Sequence, residues 1–197
     1  MHPRPARHVV KTGRELASLA SAARQEIVDV LAEMGTVSIG EIAAALGRPA
    51  DALYFHVRAL MRAGLVQPAG YRLRGARKEA LFRTVAAELV LLYNPDSATN
   101  RRAVTAAVSS MLRLGDRDFR RAFQGGNVMV SGARRELWAL RKAGRLSSEK
   151  LARVNQLIKK LADSVSKPDS VGRLYGITVI LTPLDHRPRK RVGDLQA

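Results

Sequence analysis

Two short helical patterns joined by a tight turn constrain the fold of this chain more than any other feature. The first, over 38–47, begins with the Ser-x-x-Glu spacing of a capping box and ends at a glycine. The second, over 49–64, opens with a proline, which the first turn of a helix tolerates, and also ends at a glycine. Because an amphipathic pattern over 15–34 precedes both, the sequence predicts the three-helix unit of a helix-turn-helix domain.

The residues after this unit predict a β-hairpin with a basic tip. Leu65 and Val66 begin an extended stretch that continues through 71–73, and a second extended stretch covers 80–82. The loop between them, 74–78, reads Arg-Gly-Ala-Arg-Lys. A hairpin in this position is a wing, and its cations can lie along a phosphate backbone or enter a minor groove. The alternative is a solvated charged turn.

The charge of the chain calls for an anionic partner. There are 34 Lys and Arg residues against 17 Asp and Glu residues, a net charge of +17. Such a charge fits DNA, RNA and anionic surfaces alike, so the position of the cations beside the predicted helix-turn-helix favours double-stranded DNA. No apolar run approaches the ~18 residues of a membrane span. We therefore expect a soluble, cytoplasmic protein that does not act at a membrane.

The helix over 50–62 is the predicted recognition helix. Leu53, Val57 and Leu60 recur at the core-facing period, which turns the intervening residues outward. Arginine in a major groove reaches guanine or phosphate, and aromatic rings contact thymine methyls. For the two aromatic residues of this helix, Tyr54 and Phe55, packing in the core is the alternative. The predicted DNA-binding residues of the helix, its preceding turn and the wing are Arg48, Ala50, Asp51, Ala52, Tyr54, Phe55, Arg58, Arg62, Arg72, Arg74, Arg77 and Lys78.

Three segments carry a family resemblance: Leu53-Tyr54-Phe55-His56-Val57-Arg58-Ala59-Leu60, Arg62-Ala63-Gly64-Leu65-Val66, and 77–82. Through them the stretch 16–87 resembles the winged-helix domain of ArsR-like bacterial transcriptional regulators. The resemblance implies that 50–58 face DNA bases, that the wing holds phosphate and that His56 closes a structural hydrogen bond. The chain has no cysteine, and its four histidines are scattered, so it departs from the metal-sensing members. We expect no metal site, no cofactor and no catalytic residues.

The C-terminal half predicts further helices and a final strand. Helical patterns cover 85–92, 97–114, a short stretch beginning at 116, 133–144 and 147–167, and a strand covers 175–182. The 147–167 helix has a stripe at alternating three- and four-residue spacing, which helix pairs use. The predicted dimerisation residues are Leu151, Val154, Ile158, Leu161 and Val165. The alternatives are an intramolecular core, or a dimer through the helices that flank the winged domain.

A small-molecule effector is a further expected partner. Trp138, Phe119, Phe123 and Leu137 are candidates to line its pocket, with ordinary core packing as the alternative.

The predicted fold is mainly α with a small β-wing. It comprises a disordered basic arm over 1–13, a winged helix-turn-helix domain over 14–92, a helical dimerisation or effector region over 97–184 and a disordered basic tail over 185–197. The expected function is that of a homodimeric, sequence-specific DNA-binding repressor. The alternative is a winged helix for nonspecific nucleic-acid binding or for protein interaction, because fold does not fix function.

Overall fold

A computed structural model describes residues 4–165 and 172–184 of the chain. The predicted tail over 185–197 lies outside the described residues. Along the chain the elements are β1 (Arg7–Val10), α1 (Gly13–Leu19), α2 (Ala22–Met34), β2 (Val37–Ser38), α3 (Ile39–Leu46), α4 (Ala50–Arg62), β3 (Val66–Arg74), β4 (Arg77–Thr84), β5 (Glu88–Leu91), α5 (Ala98–Gln124) and α6 (Ser148–Val165).

The central part of the chain is a winged helix-turn-helix. Helices α2, α3 and α4 form the three-helix unit, and β3 and β4 form the antiparallel hairpin of the wing. The short strand β2 adds to this sheet by pairing with β4, which gives the strand order β2-β4-β3. The predicted fold class, mainly α with a β-wing after the helix-turn-helix, is confirmed.

The core of this domain comes from the predicted apolar faces. Leu53, Val57 and Leu60 of α4 are each at most 1% exposed, and Ile27 of α2 and Ile42 of α3 are fully buried against them. This spacing places one face of α4 inside the domain and leaves the opposite face in solvent.

Local signals set the ends of α3 and the shape of the wing. The Ser38 hydroxyl accepts from the Glu41 backbone N–H, and the Glu41 carboxylate accepts from the Ser38 backbone N–H at 2.8 Å, so the predicted capping box is present. In the wing, Arg74 pairs with Arg77, which leaves a two-residue turn of Gly75 and Ala76. Gly75 has a φ of +61°, a conformation that favours glycine and suits such a tight hairpin.

The single helix predicted over 15–34 is broken into α1 and α2. A second capping box, between Thr12 and Glu15, starts α1, and α1 ends at Leu19. Side chains of α2 then satisfy carbonyl groups at the end of α1: Arg24 donates to Ser18, and Gln25 donates to Leu19. The break is stable because these carbonyl groups have partners outside their own helix.

Two predictions are wrong where a pair of strands forms instead: the disordered arm over 1–13, of which residues 4–13 are described, and the helix over 85–92. Residues 7–10 form β1, which pairs in parallel with β5 over 88–91, and Val10 is fully buried. In an apolar run as short as 89–91, the periodicity of the sequence cannot distinguish a strand from a helix. The partner strand decides the outcome here, and it lies about eighty residues earlier in the chain.

The C-terminal region also differs from its sequence pattern. Residues 98–124 form one continuous helix, in which Asp116 is an interior residue paired with Arg120 rather than the cap of a new helix. The helix predicted over 133–144 and the strand predicted over 175–182 are absent. Glu136 instead joins the two segments by accepting from the Tyr175 hydroxyl at 2.6 Å, and it also accepts from the backbone N–H of Met129 at 2.7 Å. A hydrogen bond between side chains thus connects these segments, in place of the backbone hydrogen bonds of a strand pair.

The start of α6 agrees with its predicted cap, since the Ser147 hydroxyl accepts from the Lys150 backbone N–H. Among the residues described, no helix is both long enough and apolar enough to cross a membrane.

Candidate nucleic-acid interface

The solvent face of α4 carries two large aromatic side chains. Tyr54 is 45% exposed and Phe55 is 64% exposed, so neither ring completes the core. Arg58 and Arg62 lie further along the helix and are also exposed. Asp51 and Ala52 are exposed in the first turn, and Ala50 is half-buried. The helix therefore presents apolar rings and guanidinium groups to solvent while its other face is fixed in the core.

His56 lies behind this face, and its ring meets that of Phe55 edge-on, with 5.6 Å between the centroids. Desolvation lowers the pKa of His56, and the positive charges of Arg24 and Arg48 lower it further. The buried Nδ1 atom has no hydrogen-bond partner among the residues described. The structural hydrogen bond implied by the resemblance is thus not formed at this atom.

The C-terminal end of α4 has a cation of its own, Arg62, and gains a second one from another helix. A guanidinium nitrogen of Arg14 lies 3.4 Å from the Arg62 carbonyl oxygen, where it donates to the end of the helix. Arg14 belongs to α1, and nothing in its local sequence distinguishes it from other surface arginines. It was therefore not predicted as part of the interface.

Arg48, in the turn before α4, is half-buried and paired with an acid. Its guanidinium contacts the Glu26 carboxylate at 2.6 Å, and the other oxygen of this carboxylate bonds Arg117 of α5. Glu26 is only 9% exposed. Glu26 thus joins α2, the turn of the helix-turn-helix and α5 through one buried carboxylate.

The arginines on one face of the wing are paired with acids. Arg72 contacts the Glu41 carboxylate at 2.8 Å and the Glu79 carboxylate at 3.5 Å, and Arg74 lies 3.9 Å from Glu79. The hydrogen bond from Arg72 lowers the pKa of Glu41, so this carboxylate stays charged in the pair. Because Glu41 also caps α3, Arg72 fastens the hairpin to the N-terminus of that helix.

The opposite face of the wing has a different chemistry. Tyr71 is 66% exposed and Leu73 is 74% exposed. Lys78 pairs with Leu73 across the hairpin, and its ammonium group lies 4.3 Å from the centre of the Tyr71 ring. Arg77 occupies the first position of β4, across from Arg74. The exposure of Tyr71 and Leu73 was not predicted, although the alternation of side chains along β3 contains the signal.

The predicted dimerisation stripe lies on α6, which has no buried residue in the described part of the chain. Val154 and Ile158 are half-buried, whereas Leu151, Leu161 and Val165 are 40–45% exposed. The described residues therefore do not cover the stripe with an intramolecular core.

Three of the four predicted effector-pocket residues come together. Phe119, Phe123 and Leu137 line a shallow cleft of about 160 Å³. Trp138 lies outside it, 68% exposed, with the Arg135 guanidinium 4.3 Å from its ring centre. Within residues 4–165 and 172–184, no group of His, Cys, Asp or Glu side chains is arranged to hold a metal ion.

Among the comparisons with known proteins, a family model matches the central domain. Residues 19–68 match the family model of a helix-turn-helix domain, which spans α2, β2, α3, α4 and the start of β3. A solved structure of an apo mutant of Lactococcus lactis ZitR is similar over 76% of this chain and 86% of that chain, at 13% identity and a TM-score of 0.30. No curated protein matches the chain. The match to the family model agrees with the helix-turn-helix that α2, α3 and α4 form, and it supports a DNA-binding transcription regulator.

Proposed function

We propose that this protein is a sequence-specific DNA-binding repressor in which α4 enters the major groove and the wing contacts the backbone or the minor groove. The observation that carries the proposal is the solvent face of α4, where Tyr54, Phe55 and Arg58 are exposed on a helix whose other face is buried. Large exposed rings on a helix next to guanidinium groups suit base edges and sugars. Repression requires only that the protein occupies a promoter site.

We propose further that the protein acts as a homodimer. The exposed stripe of α6 is a surface that a second copy would cover. A twofold dimer presents two copies of α4 to half-sites about one helical turn apart, and such a site is an inverted repeat.

An effector that binds at the Phe119, Phe123 and Leu137 cleft would act on α5, which packs on the winged domain through Val104 and Ala107.

Selection of binding sites from random duplexes tests specificity and symmetry together. We expect an enriched inverted repeat that the protein binds at least about 10³-fold more tightly than a scrambled duplex. With roughly six to ten phosphate contacts, affinity for the enriched site should fall about 10³- to 10⁵-fold between 50 and 200 mM salt. If no sequence is enriched while duplex binding persists, the protein is a nonspecific module. If duplex binding itself is absent, the protein-interaction alternative replaces the proposal.

A further inference from the structure

The segment 174–184 is apolar and uncharged, in a chain whose net charge is +17. Its large apolar side chains are each 41–62% exposed: Leu174, Tyr175, Ile177, Val179, Ile180, Leu181 and Leu184. They occupy both odd and even positions, which in a strand belong to opposite faces. A continuous apolar run of this kind is typical of a strand that is covered on both faces. The described residues of the chain leave it largely uncovered.

The segment is nevertheless fixed against its own chain. The Tyr175 hydroxyl donates to Glu136 at 2.6 Å. Farther along, a methyl group added to Gly115 would lie 3.5 Å from the Thr178 hydroxyl oxygen, so the segment crosses α5 at this glycine. Its position is therefore set before any partner binds, which reduces the conformational entropy that association costs.

The backbone of the segment has no ladder partner. Within residues 4–165 and 172–184, no backbone–backbone hydrogen bond involves residues 174–182. The unpaired N–H and C=O groups of an apolar, β-branched segment are a template on which another strand can pair. The sequence pattern of a strand over 175–182 and its absence from the single chain are thus compatible, because a ladder needs a second strand.

We propose that residues 174–182 of two copies of this chain pair as antiparallel strands across the twofold axis of a homodimer. This inference rests on the proposed homodimer and adds a second contact to the stripe of α6. Because the segment has no charge, two strongly cationic copies can meet there without placing like charges opposite each other. An anionic partner such as DNA would find no cation within it.

The amount of exposed apolar surface also favours a second copy as the partner. A stable interface uses about 20–30 residues on each side. The C-terminal region supplies the segment 174–184, the stripe of α6, and also Trp138 and Leu140, which are 68% and 72% exposed. A single pair of strands is only marginally stable in water, so the pairing adds to the α6 contact and does not replace it.

Cysteine scanning tests the inference directly, because the chain has no cysteine of its own. Each residue of 176–182 is replaced singly by cysteine in the full chain, and the protein is oxidised with copper phenanthroline. In an antiparallel pair on a twofold axis, one residue lies opposite its own copy, with Cβ atoms about 5 Å apart. Its neighbours in sequence are shifted by about 7 Å along the strands from their own copies. We therefore expect one position to cross-link at least about tenfold faster than the positions beside it.

Two further cysteine variants separate the possible outcomes. Glu33→Cys, at an exposed position of α2, is the matched control for random collision, and Ile158→Cys reports contact through the α6 stripe. If Ile158→Cys cross-links while no position of 176–182 exceeds the Glu33→Cys rate, the inference is overturned and the homodimer stands. Equal rates at every position of 176–182 overturn it as well. A wild-type chain that is monomeric by light scattering refutes the homodimer itself, and the inference with it.

Hydrogen exchange gives a second readout that needs no substitution in the segment. Backbone amides of 176–182 should exchange at least about tenfold more slowly in the dimer than in the monomer, which is obtained by dilution or with Ile158→Lys. Equal protection in monomer and dimer would show that the same chain covers the segment. Protection that appears only with phosphatidylglycerol vesicles would assign the segment to lipid. Either result overturns the inference.

Discussion

At the scale of single residues, the same side-chain type has different roles according to its partners. Arg58 is exposed on α4, whereas Arg48, ten residues earlier and equally basic, is held by the buried Glu26 carboxylate. Sequence alone gives both residues the same predicted role, because the partner of Arg48 is on another helix. Arg72 repeats this pattern with Glu41. The exposure of an arginine and its pairing with a carboxylate therefore distinguish two groups: arginines that remain available to DNA and arginines that hold the domain together.

Glu15 gives a residue-scale prediction for stability against pH. Burial raises the pKa of its carboxyl, but hydrogen bonds from Thr12, His8 and Lys11 outweigh burial and lower the pKa from 4.5 to about 2. Because the folded pKa is depressed, the stabilisation is present above pH 4.5 and is lost as the pH falls toward 2. Its full size is about 3 kcal/mol.

Urea unfolding measures this contribution. Glu15→Gln should lower the free energy of unfolding by up to about 3 kcal/mol at pH 7 and by progressively less between pH 4.5 and pH 2. Glu33→Gln, at an exposed position of α2, is the control and should change stability by less than about 0.5 kcal/mol. An equal loss for Glu15→Gln at pH 7 and at pH 2 would contradict the assigned cause.

At the scale of elements, the helix ends and the wing were predictable because their signals are local. The capping box of α3 lies within four residues, and the wing turn within two. Strand β1 was not predictable, since its pairing with β5 depends on a partner about eighty residues away that itself resembles a helix in sequence. The same reason applies to the segment 133–144, whose contacts through Glu136 reach across the chain to 173–175.

The stripe on α6 gives the element-scale prediction. If a second copy covers this stripe, Ile158→Lys places a charge in the interface and should convert the dimer to a monomer of 21.5 kDa. Gln156→Lys adds the same charge on the opposite side of α6 and should leave the dimer intact. Light scattering after gel filtration gives both masses. A wild-type monomer, or a dimer that survives Ile158→Lys, would refute the assignment of the interface to α6.

At the scale of the whole molecule, a buried carboxylate links the winged domain to the C-terminal region. Glu26 bonds both Arg48, next to the recognition helix, and Arg117 of α5. The Gln25 side chain adds a second link by donating to the Ala107 carbonyl of α5 at 3.1 Å. The two contacts with α5 join residues more than eighty positions apart, and no sequence pattern encodes them. Through Glu26, α5 is connected to the turn that precedes α4.

The central claim is that the exposed face of α4 reads DNA sequence. The most direct test compares the affinity for the enriched site with that for a scrambled duplex, in wild type, Arg58→Ala and Arg48→Ala. We predict that Arg58→Ala loses about 1–3 kcal/mol on the enriched site and little on the scrambled duplex, whereas Arg48→Ala leaves the ratio unchanged. A ratio that Arg58→Ala does not alter, with both duplexes losing affinity equally, would contradict the claim.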